Sequence, residues 1–389
     1  MALTHRQLNR ATLARQLLLG RERCDVADAV GRVVALQAQD AASPYLALWN
    51  RIEAFDPDDL TAAYADHRVL KAPLMRITLH AVRAEDYPAF RRAMVSSLRA
   101  SRVGDRRFRG LGIAVEQADA LVPDLLTFLR EPRTNAEIDG WVRQRCGELP
   151  APGVWWALRT YGPFVHAPTG GPWSFGPRPA YRSAPAVPLG RHLGGTDQAG
   201  DRSGEQAAIR SLIGRYLDGF GPAAIADIAQ FTLLRRSVIR DVVATMDDLV
   251  TMTGPEGGAL LDRPPGPLPD PDTVAPPRLL GMWDNVLLAY ADRSRLIPPA
   301  YRRHVIKQNG DVLPTVLIDG QVAGIWRPVD GRIEIGAFHP LTEPDWAALE
   351  VEAAALHAML ADREPPIYRR FAHWWVKGLP IEQTRRLAG

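Results

Sequence analysis

One order of predicted elements recurs along the chain, and it limits the possible folds more than any single motif does. In each of three stretches, apolar spacing predicts short helices, and alternating residues then predict strands. Helices followed by a strand hairpin are the elements of a winged-helix module, a variant of the helix-turn-helix. The repeat lies in element order and not in residue identity. We therefore expect an α+β fold with three tandem winged-helix modules, at residues 1–110, 111–190 and 205–262.

Each module has its own predicted elements. The first is predicted to hold helices at 4–19, 25–37 and 56–65 and a strand at 75–81. The second is predicted to hold helices at 118–130, 135–145 and 154–161 and a hairpin of 164–166 with 173–175. The third is predicted to hold helices at 206–217, 222–230 and 234–246 and a wing at 248–261.

A stretch rich in glycine and proline separates these modules from a different C-terminal part. Twelve of the 24 residues from Gly254 to Pro277 are Gly or Pro, which is typical of a boundary. Beyond it, Asp-Gly pairs predict tight hairpin turns between strands. The elements predicted here are strands at 315–318, 322–326 and 332–338, helices at 343–361 and 380–388, and a closing strand or helix end at 369–376. We expect residues 278–389 to form a small β-barrel-like domain.

The basic residues are mostly arginine. The net charge is only +3, but three of the 47 basic residues are lysine and the rest are arginine, the side chain suited to bidentate phosphate contacts. Seven arginines lie within residues 91–109, beside the single acid Asp105. This run, which includes Arg102, Arg106 and Arg107, is either a phosphate-binding surface or a solvated helix face.

Several classes of protein are excluded by missing motifs. The nine histidines include no HExxH pair, and neither a P-loop nor a GxGxxG follows a predicted strand. Cys24 and Cys146 are isolated, and no apolar run resembles a signal peptide or a membrane span. We therefore expect no metal, no cofactor and no membrane contact, in a reduced, cytoplasmic protein.

A pair of glutamines follows an apolar stripe. Val26, Val30 and Val33 share one face of a predicted helix, and Gln37 occupies the next position on that face. A buried amide needs a partner or a ligand. If the chain becomes extended here, Gln37 and Gln39 point to the same side. Alternatively, Gln37 caps the helix and Gln39 is solvated, and the residues alone leave both interpretations open.

Two further groups of polar residues stand out. The predicted strand at 75–81 places Arg76, Thr78 and His80 on its polar face. Trp283, Asp284 and Asn285 lie between apolar pairs, where an Asx turn and part of a site are both possible.

Together these landmarks resemble the winged-helix DNA glycosylases of the AlkZ/YcaQ type, over nearly the whole chain. The resemblance rests on four segments: Gln37-Ala38-Gln39-Asp40 with Ser43-Pro44, Arg76-x-Thr78-Leu79-His80, Gly219-Phe220-Gly221-Pro222-Ala223, and Leu279-Leu280-Gly281-Met282-Trp283-Asp284-Asn285. It implies that Gln37 and Gln39 are the catalytic pair of a Gln–aliphatic–Gln motif, with Ala38 smaller than the usual middle residue. The residues expected to contact DNA are Arg76, Thr78, His80, Arg102, Arg106, Arg107, Trp283 and Asn285.

The resemblance implies excision of N7-alkylated purines from double-stranded DNA, in repair or in self-resistance to a DNA-alkylating antibiotic, and unhooking of interstrand crosslinks. Glutamine does not titrate, but an N7-alkylated purine is already a cationic leaving group, so orienting a water at C1′ and stabilising the developing oxocarbenium suffice. No lysine is near the motif in sequence, so we expect a monofunctional, monomeric, nucleoid-associated enzyme. Two alternatives stay open: a winged-helix transcriptional regulator, and a family member that binds a lesion or drug without cleaving.

Overall fold

The computed structural model describes residues 2–147, 149–185, 198–364 and 367–387. The helices are α1 His5–Arg15, α2 Val26–Arg32, α3 Ser43–Trp49, α4 Pro57–Ala65, α5 Tyr87–Val103, α6 Arg106–Arg109, α7 Val115–Ala120, α8 Val122–Phe128, α9 Asn135–Cys146, α10 Ala151–Tyr161, α11 Gln198–Phe220, α12 Ile225–Thr232, α13 Arg236–Val243, α14 Arg302–Val305 and α15 Glu343–Ala361. The strands are β1 Leu36–Gln37, β2 Val69–Pro73, β3 Leu79–Arg83, β4 Arg133–Thr134, β5 Phe164–Ala167, β6 Ala180–Ser183, β7 Val250–Thr253, β8 Ala259–Asp262, β9 Arg278–Leu280, β10 Thr315–Ile318, β11 Gln321–Val329, β12 Arg332–Ala337 and β13 Gln383–Leu387. Three 3₁₀ helices are Met75–Ile77, Asn285–Leu287 and Arg369–Val376.

A six-stranded sheet joins the first two predicted modules. Its strand order is β1-β3-β2-β5-β6-β4. Strands β2 and β3 form an antiparallel hairpin, and β2 also pairs with β5 where Lys71 lies opposite His166. The strands of residues 1–110 therefore continue into those of 111–190, and the two hairpins share one sheet. The number of winged-helix modules stays a prediction.

The segment that carries the glutamines differs from its predicted helix. Helix α2 ends at Arg32, because Val34 adopts a φ of 74°, in the left-handed region that cannot continue a right-handed helix. Leu36 and Gln37 then pair with Ala81 and His80 as strand β1. The extended interpretation of Gln37 is therefore confirmed, and a helix-capping role for it is wrong.

The strand predicted at 75–81 is wrong over its first half. Met75–Ile77 is a 3₁₀ turn in which Arg76 and Ile77 both have positive φ, and β3 begins only at Leu79. Alternation of apolar and polar residues cannot distinguish such a turn from a strand. The partner strand β2 and helix α3 were not predicted.

The second and third units follow their predicted order more closely. The predicted capping box at α9 is confirmed, since Thr134 and Glu137 exchange side-chain-to-backbone hydrogen bonds. In the hairpin predicted for the second unit, the partner of β5 is β6 and not residues 173–175, because Trp173 turns inward and packs edge-on against Tyr45. Strands β7 and β8 form a two-stranded sheet, which confirms a strand hairpin where the wing at 248–261 was predicted.

The C-terminal sheet is open. Its order is β13-β12-β11-β10-β9, with every neighbouring pair antiparallel, and within the described residues the two edge strands do not pair with each other. The expected barrel-like closure is therefore wrong. The helix predicted at 380–388 is also wrong, because residues Gln383–Leu387 alternate in exposure along edge strand β13.

Polar contacts and a shared core hold this sheet against the N-terminal half. One continuous hydrophobic cluster includes residues of both parts. At the end of α3, Asn50 Nδ2 donates to the Leu279 carbonyl at 2.9 Å, and Arg51 pairs with Asp284. These contacts place the segment around Asp284 next to the strand that carries Gln37.

Candidate active site

The amide oxygen of Gln37 is turned toward the protein. Gln37 is buried, and its Oε1 accepts from Arg76 Nη2 at 3.4 Å and from Thr78 Oγ1 at 3.3 Å. A guanidinium N–H can only donate, so the atom facing Arg76 must be the oxygen of the amide. The Nε2 group of Gln37, a hydrogen-bond donor, is left for another partner.

Gln39 contacts the same turn from a more exposed position. Its Oε1 accepts from the Leu79 backbone N–H at 3.4 Å, and Ala38 N donates to the Leu79 carbonyl at 2.8 Å. The two glutamines therefore both direct an amide oxygen at residues 76–79, but Gln37 is buried and Gln39 is exposed.

Arg76 is the centre of the contacts around Gln37. Its Nη2 contacts Gln37, His80 Nε2 at 3.2 Å and Asn285 Oδ1 at 2.7 Å, and its guanidinium lies 5.2 Å from the centroid of the Phe231 ring. These hydrogen-bonding partners are neutral. Burial, followed by the charge of Arg293, lowers the pKa of Arg76 to about 9, so the side chain is still a cation at neutral pH. A non-glycine residue at a φ of 55° is strained, and such strain is concentrated at functional sites.

His80 and Asn285 both accept hydrogen bonds from Arg76. His80 is fully buried, and its Nδ1 lies 3.0 Å from the Thr78 carbonyl, which makes Nδ1 the donor and leaves Nε2 to accept from Arg76. Burial lowers the pKa of His80 well below its ordinary value, so the ring is neutral. Asn285 Nδ2 donates to the Ala35 carbonyl at 2.8 Å, which ties the C-terminal part to the glutamine segment.

Trp283 and Asp284 have internal partners. Trp283 is buried, and its Nε1 donates to the Gly310 carbonyl at 2.9 Å. Asp284 accepts two hydrogen bonds of 2.8 Å from Arg51 and one of 3.1 Å from Val286 N. The Asx-turn interpretation is thus confirmed for Asp284. Its neighbour Asn285 instead accepts a hydrogen bond from Arg76, the residue that contacts Gln37.

The arginine run divides by role. Arg91 is buried and donates to the Tyr161 carbonyl, and Arg99 pairs with Asp119. Arg102 and Arg107 lie over the same ring, that of Trp156, with guanidinium carbons 4.6 and 4.3 Å from its centroid, and Arg106 is exposed. Arg107 also pairs with Asp105, at 2.8 Å. The part of the run from Arg102 onward contains the exposed Arg106, Arg107 and Arg109 and is the candidate phosphate-binding surface.

A second basic surface, missed in the sequence, lies in the C-terminal part. An open depression is lined by four cations and no carboxylate: Arg293, Arg302, Arg303 and Lys307. We call these four residues the C-terminal basic surface. The charge of Arg293 contributes to the lowered pKa of Arg76. The sequence Arg302-Arg303-His304 with Lys307 was the signal that could have revealed this surface.

Two features of the described residues bear on other classes of protein. In that part of the chain no helix combines the length and the apolar composition needed to cross a membrane. Nor does the same part hold a cluster of three His, Cys, Asp or Glu residues placed to bind a metal ion.

Neutral amides beside cationic surfaces are the arrangement expected of a protein that acts on nucleic acid. The family model described as DNA glycosylase AlkZ-like matches residues 30–359, and the chain belongs to this family. It is similar to an interstrand DNA cross-link repair glycosylase of Streptomyces sahachiroi, with 25% identity over 374 residues, in a match that covers 91% of this chain and 96% of the relative. Its fold is similar to that of the solved Streptomyces sahachiroi DNA glycosylase AlkZ, with a TM-score of 0.75 and 24% identity over 94% of this chain and 99% of that one.

Proposed function

We propose that this protein is a monofunctional DNA glycosylase that hydrolyses the N-glycosidic bond of N7-alkylated purines in duplex DNA. Family membership implies glycosylase activity. The observation that carries the finer proposal is the pair Gln37 and Gln39, whose amide oxygens are held by the 76–79 turn and whose amide N–H groups remain available. Because the relative is named for cross-link repair, we include crosslink unhooking in the proposal. Self-resistance to an alkylating natural product is included as a role that the resemblance implies.

The two glutamines act by orientation and not by proton abstraction. A water molecule that accepts from Gln37 Nε2 keeps its second lone pair for attack at C1′ of the deoxyribose. As the new C1′–O bond forms, the bond from C1′ to the base breaks and its electron pair goes to the base. The extra proton of the added water passes to bulk water. The cationic base needs no general acid, since it leaves as a neutral molecule. The carbonyl dipole of Gln37 is committed to Arg76 and Thr78, so stabilisation of the oxocarbenium by that dipole is not part of this proposal.

Arg76, Thr78 and His80 act through Gln37 in this proposal, and not by contacting DNA. Arg76 and Thr78 donate directly to the Gln37 oxygen, and His80 accepts from Arg76 while donating to the Thr78 carbonyl. Preorganised dipoles of this kind reduce the reorganisation needed at the moment of reaction.

Lys71 is the lysine to consider for a covalent route. In the register of β1, β3 and β2, Lys71 is aligned with Ala81 and Leu36, so its side chain lies on the sheet face opposite to that of Gln37. Its Nζ lies 4.3 Å from the Phe175 ring centroid, and burial lowers its pKa to about 8. The position favours a monofunctional enzyme, and the lowered pKa makes covalent trapping a necessary control.

We propose that the chain binds DNA as a monomer in the cytoplasm, at the nucleoid, through three winged-helix modules at 1–110, 111–190 and 205–262. Helix α13 supports the third of these, because it is followed by the β7–β8 hairpin and bears exposed Arg236 and Arg240, with Arg235 directly before it. Residues 278–389 form the remaining unit and bring the C-terminal basic surface to the site.

The decisive experiment incubates the protein with duplex DNA that contains one N7-methylguanine. Release of the nucleobase is detected as strand breakage after mild alkaline treatment. In a parallel reaction, borohydride is added to trap any covalent intermediate. We expect release of the base and no trapped complex. Tight operator binding without base release would indicate a transcriptional regulator. Lesion or drug binding without release would indicate a non-catalytic member, and a trapped complex would point to Lys71.

Each basic surface should contribute separately to the salt dependence of DNA binding. Replacing Arg102, Arg106 and Arg107 with glutamine, or Arg302 and Arg303 with glutamine, should weaken binding to any duplex. Each lost phosphate contact should reduce the log–log salt slope by about one unit. Titrations at several salt concentrations measure the slopes. The matched control is Arg332→Gln at the tip of the β11–β12 hairpin, and an unchanged slope would show that the surface concerned is only solvated.

A further inference from the structure

A pocket of about 200 Å³ opens beside Gln39, between the 76–79 turn and the helix–hairpin unit of α10, β5 and β6. Its polar lining includes Gln39, Thr78, Arg102, Arg159 and Thr160, with the rings of Trp156 and Tyr181 among the apolar part. No function assigned so far uses Arg159 or Tyr181.

Both arginines of this pocket are fixed at one end and free at the other. Arg102 Nε donates to Thr160 Oγ1 at 2.9 Å while its guanidinium lies over Trp156. Arg159 Nη1 donates to Tyr181 Oη at 2.9 Å. Thr160 is itself buried and donates to the Trp156 carbonyl at 3.2 Å, so the support is rigid. Each guanidinium is thus oriented and keeps further N–H groups for a ligand.

The electrostatics of the pocket favour an anion. Its lining includes two guanidinium groups and no carboxylate. His166 also lines it, and burial, followed by the charges of Lys71 and Arg159, lowers the pKa of His166 well below its ordinary value, so this ring is neutral. An N7-alkylated base is a cation and would be repelled, whereas a phosphodiester would gain charge-assisted hydrogen bonds from the planar guanidinium groups.

We infer that this pocket binds one backbone phosphate of the lesion strand, next to the lesion nucleotide, through Arg102 and Arg159. That phosphate sets the position of the deoxyribose relative to Gln39, so the pocket determines which nucleotide is presented to the glutamine pair. The inference rests on the proposed function, since it takes DNA as the ligand.

The test measures whether the contribution of one phosphate to binding depends on one arginine side chain. Duplexes carry a tetrahydrofuran abasic analogue at the lesion position, and one phosphate at a time is replaced by a neutral methylphosphonate. With the unaltered protein, one position near the lesion should weaken binding about tenfold, as expected for loss of a charge-assisted contact. Arg159→Gln and Arg102→Gln should each weaken binding to the all-phosphate duplex and lose most of the sensitivity at that position. Arg332→Gln should keep the full sensitivity.

Other outcomes overturn the inference. If each methylphosphonate weakens DNA binding by the same factor in the variants and in the unaltered protein, no phosphate occupies the pocket. If the variants instead strengthen binding of 2′-fluoro-N7-methylguanine DNA, whose glycosidic bond resists cleavage, the pocket holds the base. Base release is measured separately, so coupling at one phosphate without any excision would contradict the proposed function and leave the phosphate site in place. Thermal unfolding of each variant verifies that it is folded.

Discussion

Replacing Gln37 and Gln39 together with alanine should lower the single-turnover excision rate on N7-methylguanine DNA by about 10²-fold. In the proposed mechanism the glutamines position the attacking water, and a misplacement of about 1 Å costs on the order of 10² in rate. Each single replacement should cost less than the pair, and the effects should be less than additive if both amides hold one water. Lesion-DNA affinity should change only a few-fold, because phosphate contacts dominate binding.

Two controls make this result specific. Gln144→Ala removes an exposed amide on α9 and should leave the rate unchanged. The pH profile of excision should be flat between about pH 6 and 8, because amides do not titrate and the lowered pKa of His80 keeps that ring neutral throughout. A double variant with the rate of the unaltered protein would move the active site elsewhere, and a bell-shaped profile would indicate a carboxylate base such as Asp40.

Replacing Asp284 with alanine should lower the free energy of unfolding by about 3–5 kcal/mol, the cost of leaving one partner of a buried ion pair alone. The side chains of Arg51 and Asp284 are each 1% exposed and are joined by two hydrogen bonds of 2.8 Å. Without Asp284, the one hydrogen-bond partner left to the Arg51 guanidinium among the described residues is the Ala47 carbonyl, at 2.9 Å. Urea titration followed by tryptophan fluorescence measures the loss.

The matched control is the pair formed by Asp40 and Arg370, whose side chains are 20% and 64% exposed. Asp40→Ala should cost about 0–1 kcal/mol, because water screens such a pair. Replacing both Arg51 and Asp284 with apolar residues of similar volume should recover much of the loss, since a buried pair often has little net value over a packed apolar one. Equal losses for Asp284→Ala and Asp40→Ala would show that the burial of Asp284 does not matter.

The sequence predicted the local features of this fold better than the turns between them. The capping box at Thr134 and the hairpin of β7 and β8 follow from residue types a few positions apart, and both are confirmed. Val34 and Arg76 both have positive φ. Glycine is the usual sequence signal for such a conformation, and neither residue is a glycine, so nothing in the sequence indicated these two turns. The end of α2 and the start of β3 were therefore misplaced, although they position the glutamines.

For the candidate site, the sequence identified most of the residues but not their contacts. Asn285 lies 209 residues from Arg76, and their hydrogen bond depends on the docking of two sheets. Arginines show the same limit: Arg99 and Arg102 are three residues apart and look alike in sequence, yet Arg99 pairs with Asp119 while Arg102 faces the pocket beside Gln39. Arg159 had no sequence signal, because its role arises only where α10 approaches the 76–79 turn.

The hydrogen bond between Asn285 and the Ala35 carbonyl determines the stage of synthesis at which the site can be completed. Synthesis proceeds from the N-terminus, so a growing chain that ends at Pro277 already contains both glutamines and Arg76 but neither Asp284 nor Asn285. In that chain Arg51 has no carboxylate partner and Arg76 lacks the Asn285 oxygen 2.7 Å away. The supports of the Gln37 amide are therefore completed among the last third of the residues to leave the ribosome, and a chain interrupted before that point carries the glutamine motif without its finished setting.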